Sequence, residues 1–164
     1  MHSLNFELLF KPLCGSINNL ENLKIDTIEP LYVPIGNDMI LFKIVTSSMK
    51  SEPRIVIFND KNEMIINIVL SESNLSVTAY CVTSAYFDTQ KSLSVNLLLA
   101  TSDSVLRLIK CSTNDYNQSG EGKWEQIRIY PTGEQVTKLL AINWNPLTIM
   151  CGHQCGEINF YTIL

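Results

Sequence analysis

From Val136 to Ile163 the chain reads VTKLLAINWNPLTIMCGHQCGEINFYTI, three apolar runs separated by turn residues. Val136–Asn145 ends on a Trp-Asn-Pro corner, Leu147–Gly152 is a short second run, and Gly156–Ile163 follows a tight turn, so the pattern predicts a three-stranded meander. Apolar side chains occupy both alternations: Leu139, Leu140, Ile142 and Trp144, then Ile149 and Met150, then Ile158, Phe160, Tyr161 and Ile163. Strands of that kind belong in a sheet covered on both sides.

The same texture runs upstream. Arg54–Leu70, RIVIFNDKNEMIINIVL, holds two β-branched runs around the polar tip Asn59–Glu63 and reads as a hairpin. Leu75–Tyr86 alternates as a strand. Leu97–Thr101 and Val105–Cys111 are two more, joined by a turn at Ser102-Asp103-Ser104, and Trp124–Tyr130 is another, closed by Pro131-Thr132-Gly133. Nearer the start, Gly36-Asn37-Asp38 leads into the apolar run Met39–Thr46. Ile28–Ile35, interrupted by Pro30 and Pro34, suits only an edge or bent strand. Asn5–Phe10 fits a strand or a short helix ended by Lys11-Pro12. Polar stretches at Thr46–Pro53, Phe87–Ser94 and Ser112–Lys123 read as loops.

Covering both faces of antiparallel meanders without helices calls for other sheets stacked against them. The order of motifs after Val136, a Val-Thr pair, Trp-x-Pro, a short apolar run, Cys-Gly-x-x-x-Gly and x-Ile-x-Phe-x-x-Ile, resembles strands a, b and c of a WD-repeat (WD40-like) β-propeller blade. Arg54–Leu70 resembles the c-to-d hairpin of such a blade, with Phe58-Asn59 where the family carries Trp-Asp. Leu97–Cys111 resembles the b-to-c hairpin, keeping Ala100, Ser102, Asp103, Val105, Arg107 and Leu108 but no closing Trp-Asp. The resemblance covers Arg54–Leu164 and implies degenerate repeats. First strands starting near Ile28, Val77 and Val136 lie about 50 and about 60 residues apart, against a family period of about 40–45.

The expected fold is therefore all-β: about three WD40-like blades, the third without its outer strand, in one partial domain spanning 1–164. Propellers close with about four to eight blades, so the chain is expected to be a fragment of a longer propeller protein or an incomplete propeller completed by a partner or a second copy.

Composition narrows the function classes. The 164 residues are 46% apolar, enough for one sizeable core, and the net charge of −4 provides no electrostatic footprint for nucleic acid or an anionic membrane. The longest apolar stretches, such as Ile65–Leu70 and Leu97–Ala100, are far shorter than the roughly 20 residues a membrane helix needs. The N-terminal MHSLNFELLFKPLCGS lacks the basic region of a secretory signal. Five scattered cysteines, Cys14, Cys81, Cys111, Cys151 and Cys155, then read as reduced thiols packed as small apolar residues, which points to cytoplasm or nucleus.

No catalytic, cofactor-binding or metal residue is assigned, and no cofactor is expected. Gly-rich phosphate loops of the Walker or dinucleotide kind are absent from the sequence. Cys151, His153 and Cys155, at i, i+2 and i+4, would share one face of an extended strand and suggest zinc or an activated thiol. Gly152 and Gly156 bracket a turn there, however, and no fourth Cys or His stands near. The WD-repeat resemblance implies that Asp103 bonds back to its blade from the turn; the other reading is an ordinary turn aspartate. Lys43, Lys50, Arg54, Lys61, Arg107, Lys110 and Arg128 are dispersed and read as solvated surface, and Trp124 and Trp144 as packing residues. The function expected is a protein–protein interaction scaffold, a non-enzymatic subunit of a larger intracellular complex. Its partners would be other protein subunits, or copies of itself, that complete the propeller. The alternatives are a small β-rich metal-binding or thiol enzyme using Cys151, His153 and Cys155, or a truncated fragment.

Overall fold

A computed structural model of the chain describes residues 25–49, 52–70, 75–88, 92–117, 122–144 and 146–163. The expected Asn5–Phe10 element, His2 and Cys14 lie outside the described residues. Eleven strands follow one another with no helix among the described residues: β1 Ile25–Ile35, β2 Asp38–Met49, β3 Glu52–Phe58, β4 Met64–Val69, β5 Val77–Phe87, β6 Leu93–Thr101, β7 Val105–Thr113, β8 Lys123–Pro131, β9 Val136–Trp144, β10 Leu147–His153 and β11 Ile158–Ile163. They form three antiparallel meanders, ordered β1-β2-β3-β4, β5-β6-β7-β8 and β9-β10-β11. The protein is all-β.

Several boundaries differ from the sequence reading, each for a physical reason. Within the expected loop Thr46–Pro53, residues 46–49 and 52–53 are strand. The β2–β3 ladder runs out to Met49 opposite Glu52, and Thr46 uses its hydroxyl in a 2.7 Å hydrogen bond to that of Thr27 on β1. Strand pairing likewise carries β5 to Phe87, starts β6 at Leu93 and extends β7 to Thr113, shortening both expected loops. Pro30 and Pro34 fall on β1, the edge strand of its sheet, where a missing N–H is tolerated.

The three sheets stack in chain order. Val33, Phe42, Ile44, Ile55, Ile57, Ile66 and Ile68 of the first sheet pack against Leu93, Val95, Leu97, Leu99, Ile109 and Cys111 of the second. Leu98, Ala100 and Leu106, on the opposite alternation of the second sheet, pack against Val136, Ile149 and Cys151 of the third. Phe42, Phe87 and Tyr116 meet at the border of the first core with ring centroids 4.9–6.1 Å apart. A smaller cluster of Val45, Val56 and Phe58 lies on the other face of the first sheet.

Buried polar groups fasten the turns. Asn59, fully buried at the tip of β3, accepts hydrogen bonds through Oδ1 from the N–H groups of Lys61 (3.1 Å) and Glu63 (2.9 Å). Its Nδ2 donates to Glu63 Oε2 (2.9 Å) and to the Tyr116 carbonyl (3.1 Å), tying the β3–β4 turn of one sheet to the loop after β7 of the next. Gly122 provides a second tie: its N–H donates to the Ile65 carbonyl at 2.9 Å. A Cβ at Gly122 would stand 2.6 Å from both that oxygen and Ile66 Cγ1. Gly122→Ala must therefore push the β8 approach away from β4, and the expected loss is about 1–3 kcal/mol of unfolding free energy, read from urea denaturation, with the strand content of the folded protein unchanged.

Candidate functional site

Three places carry chemistry or exposed surface. The first is the β6–β7 hairpin. Arg107 on β7 is 4% exposed, which corrects its reading as a solvated surface charge. Asp103 in the turn holds it, accepting from Arg107 Nη1 at 3.0 Å and Nη2 at 2.7 Å and from the Thr101 hydroxyl at 2.6 Å, while Arg107 also donates to Thr101 Oγ1. Asp103 thus bonds back into its own sheet, with Arg107 as the anchor. Hydrogen bonding from Arg107, opposed by partial desolvation, keeps the Asp103 carboxyl below its usual range. This is a structural ion pair.

The second is a cleft of about 500 Å³ where the first strands of the three sheets run side by side. Asp26, Thr27 and Glu29 of β1, Thr46 of β2, Ser76–Tyr80 at the start of β5 and Thr137–Leu139 of β9 line it. Several of its hydroxyls are already committed: Thr27 to Thr46, and Thr78, which donates to the Val136 carbonyl at 2.5 Å. Burial, then the neighbouring Glu29 carboxylate, push the pKa of the Tyr80 hydroxyl up. Sequence reasoning missed this cleft because its lining comes from four strands spread over more than a hundred residues, each contributing unremarkable Thr, Ser and acidic positions.

The third is the last sheet. One face carries Leu139, Ala141, Ile149, Cys151 and Tyr161 into the core shared with the second sheet. The other, expected to be covered, is open: Leu140 is 52%, Ile142 47%, Ile158 59% and Phe160 62% exposed. Leu140, Met150 and Phe160 lie directly opposite one another across β9, β10 and β11, forming an apolar row. At the far side β11 has no neighbour among the described residues, whereas β3 and β7, the third strands of the other two sheets, each have one.

The β10–β11 turn fixes which groups of β11 face outward. The His153 N–H donates to the Glu157 carbonyl at 2.9 Å and the Gly156 N–H to the His153 carbonyl at 3.0 Å, with Gly156 at φ +92°. That combination is a turn followed by a one-residue bulge. With 153/157 hydrogen-bonded, the alternation of an antiparallel ladder makes 151/159, 149/161 and 147/163 the bonded pairs. Ile158, Phe160 and Thr162 therefore turn their N–H and C=O groups away from β10.

The same turn disperses the sequence's candidate ligands. Cys151 is buried in the core, His153 is 5% exposed with Nε2 3.2 Å from Asn159 Nδ2, and Cys155 is exposed in the turn. Among the described residues no three His, Cys, Asp or Glu side chains converge to hold a metal. Burial raises the Cys151 thiol to about 11 and Cys111 to about 12, and burial beside Cys151 raises Cys81 to about 12, so all three stay protonated and unreactive at neutral pH. Cys155 departs from the expectation of a packed thiol. Trp124, read from the sequence as a packing residue, is 37% exposed on β8.

Comparison with protein-family models and with curated proteins returns no match. No helix among the described residues is long and apolar enough to cross a membrane.

Asp103→Asn keeps the shape and removes the charge facing buried Arg107; the expected cost is about 1–3 kcal/mol at neutral pH. Because the folded Asp103 pKa is depressed, its stabilisation is full above the ordinary carboxylate range, near pH 4, and disappears as the pH falls through the lowered folded value. The difference in urea stability between wild type and variant should accordingly be flat from pH 5 to pH 8, within about that interval, and shrink on the acid side.

Proposed function

We propose that this chain is a protein–protein interaction scaffold, a set of WD-like blades that other protein subunits complete. The propeller reading is supported by the repeated strand order, by the sequential stacking of the sheets and by the first strands β1, β5 and β9 lying side by side at one cleft. A reducing intracellular compartment suits the free thiols of Cys81, Cys111, Cys151 and Cys155.

The observation that carries the function is the open face of the third sheet. Leu140, Ile142, Ile158 and Phe160 form one apolar patch on the outer surface of a sheet whose other face is core, and a contiguous patch of this kind marks a contact surface. Covering four half-exposed side chains contributes roughly 3–6 kcal/mol, since full burial of each is worth about 1.5–3. Micromolar binding requires about 8 kcal/mol, so the face alone falls short and the backbone of β11, which has no neighbour on its far side among the described residues, must take part.

Affinity purification of the tagged chain from its native cells, alongside Leu140→Asp, tests this. The expected result is one or more stoichiometric protein partners retained by wild type and lost by the variant, with equal strand content by circular dichroism. No stoichiometric partner, or partners indifferent to a carboxylate at Leu140, would remove the basis for the scaffold reading.

A further inference from the structure

We infer that a second copy of this chain pairs with β11, strand against strand, across a two-fold axis at Phe160. This rests on the scaffold reading and names one occupant for its open edge.

The sheet edges among the described residues are protected unequally. Exposed edges are normally blunted by charge, proline or a bulge, because a flat uncharged one recruits another strand. β1 carries Asp26, Glu29, Pro30 and Pro34. β4 is buried and its Ile65 carbonyl takes the Gly122 N–H. β8 carries Lys123, Glu125, Arg128 and Pro131, and its ladder is broken by a register shift. β5 and β9 lie against each other. β11, INFYTI, has no charged residue and no proline, and it pairs with β10 in unbroken register. Within this one molecule, the edge that faces water at β8 is guarded and the edge at β11 is not.

Self-pairing satisfies that edge completely. Laid antiparallel about Phe160, Ile158 of one copy faces Thr162 of the other, and Phe160 faces Phe160. All three positions turn their N–H and C=O outward, so every outward donor meets an outward acceptor. The side chains agree with the backbone. Phe160 ends the row Leu140–Met150–Phe160, and the two-fold joins that row to its copy as one apolar line across a continuous sheet. No like charges meet, since Glu157 of each copy falls at opposite ends of the pairing. Such a self-complementary contact closes as a dimer and leaves no further edge of the same kind.

The test is sedimentation velocity of the full chain over a concentration series, with Phe160→Lys, Phe160→Glu and their equimolar mixture. Wild type should dimerise. Either variant alone should dissociate at least about tenfold more readily, because identical charges meet directly opposite, and the mixture should regain the dimer because the charges are then complementary. Thr162→Pro, which deletes an N–H that β10 does not use, should also be monomeric. Phe160 is exposed, so circular dichroism should show each variant folded, and Thr162→Pro stands in if one is not. A wild type monomeric throughout, a Phe160→Lys dimer as tight as wild type, or a mixture that stays monomeric would overturn the inference. So would protection of the Ile158, Phe160 and Thr162 amides in a monomer, since the edge would then be covered within the chain. If dimerisation fails while partners are still lost on Leu140→Asp, the scaffold reading survives without the second copy; if both fail, both fall.

Discussion

Everything in this molecule leans on β6. Its residues Leu97, Leu98, Leu99 and Ala100 are all fully buried, odd positions in the core shared with the first sheet and even positions in the core shared with the third. A strand can be apolar on both alternations only if both faces of its sheet are covered, and the second sheet meets that condition by standing between two others. The outer sheets depend on it unequally. The first core draws on long Ile, Leu and Phe side chains and an aromatic trio, whereas the second is smaller and built around Ala100, Cys151 and Ile149. The third sheet is thus the more weakly held, and it is also the one with the open face.

Two of the buried polar groups sit where chain direction changes. Asn59 and the Asp103–Arg107–Thr101 group each sit at a hairpin tip and supply partners to backbone or to each other where the ladder cannot. Their geometry fixes where one strand ends and the next begins, and with it the register that keeps Leu97 and Leu99 on one face and Leu98 on the other. Asn59 reaches further, since its bond to Tyr116 links the first sheet to the second. Side chains that look like ordinary turn residues in the sequence therefore couple neighbouring sheets.

Much of the strand pattern was legible because alternation and turn chemistry agree. The hairpins at Arg54–Leu70 and Leu97–Cys111 and the final meander all form close to where their periodicity places them. What escaped did so for identifiable reasons. Thr46–Pro53 is polar, yet Thr and Ser fit a ladder when a cross-strand hydroxyl waits, as Thr27 does. Arg107 looked like solvated charge because its partners, Thr101 at the end of β6 and Asp103 in the turn, come within reach only once the hairpin closes. The turn at Cys151–Gly156, by contrast, was readable from its two bracketing glycines, and it is there that the alternation ends and Cys155 is exposed. The open face was misread as covered, since two apolar alternations tell that a surface wants cover and not whether the cover is present. The cleft at β1, β5 and β9 had no local signal at all.

Native-state hydrogen exchange resolved by residue tests the central role of the second sheet most directly. The β6 amides of Leu97–Ala100 should exchange only through global unfolding, while the β10 amides of the third sheet open at lower free energy and earlier with added denaturant. Protection of β10 equal to that of β6, or loss of β6 ahead of the outer sheets, would contradict a fold built on a middle sheet buried from both sides.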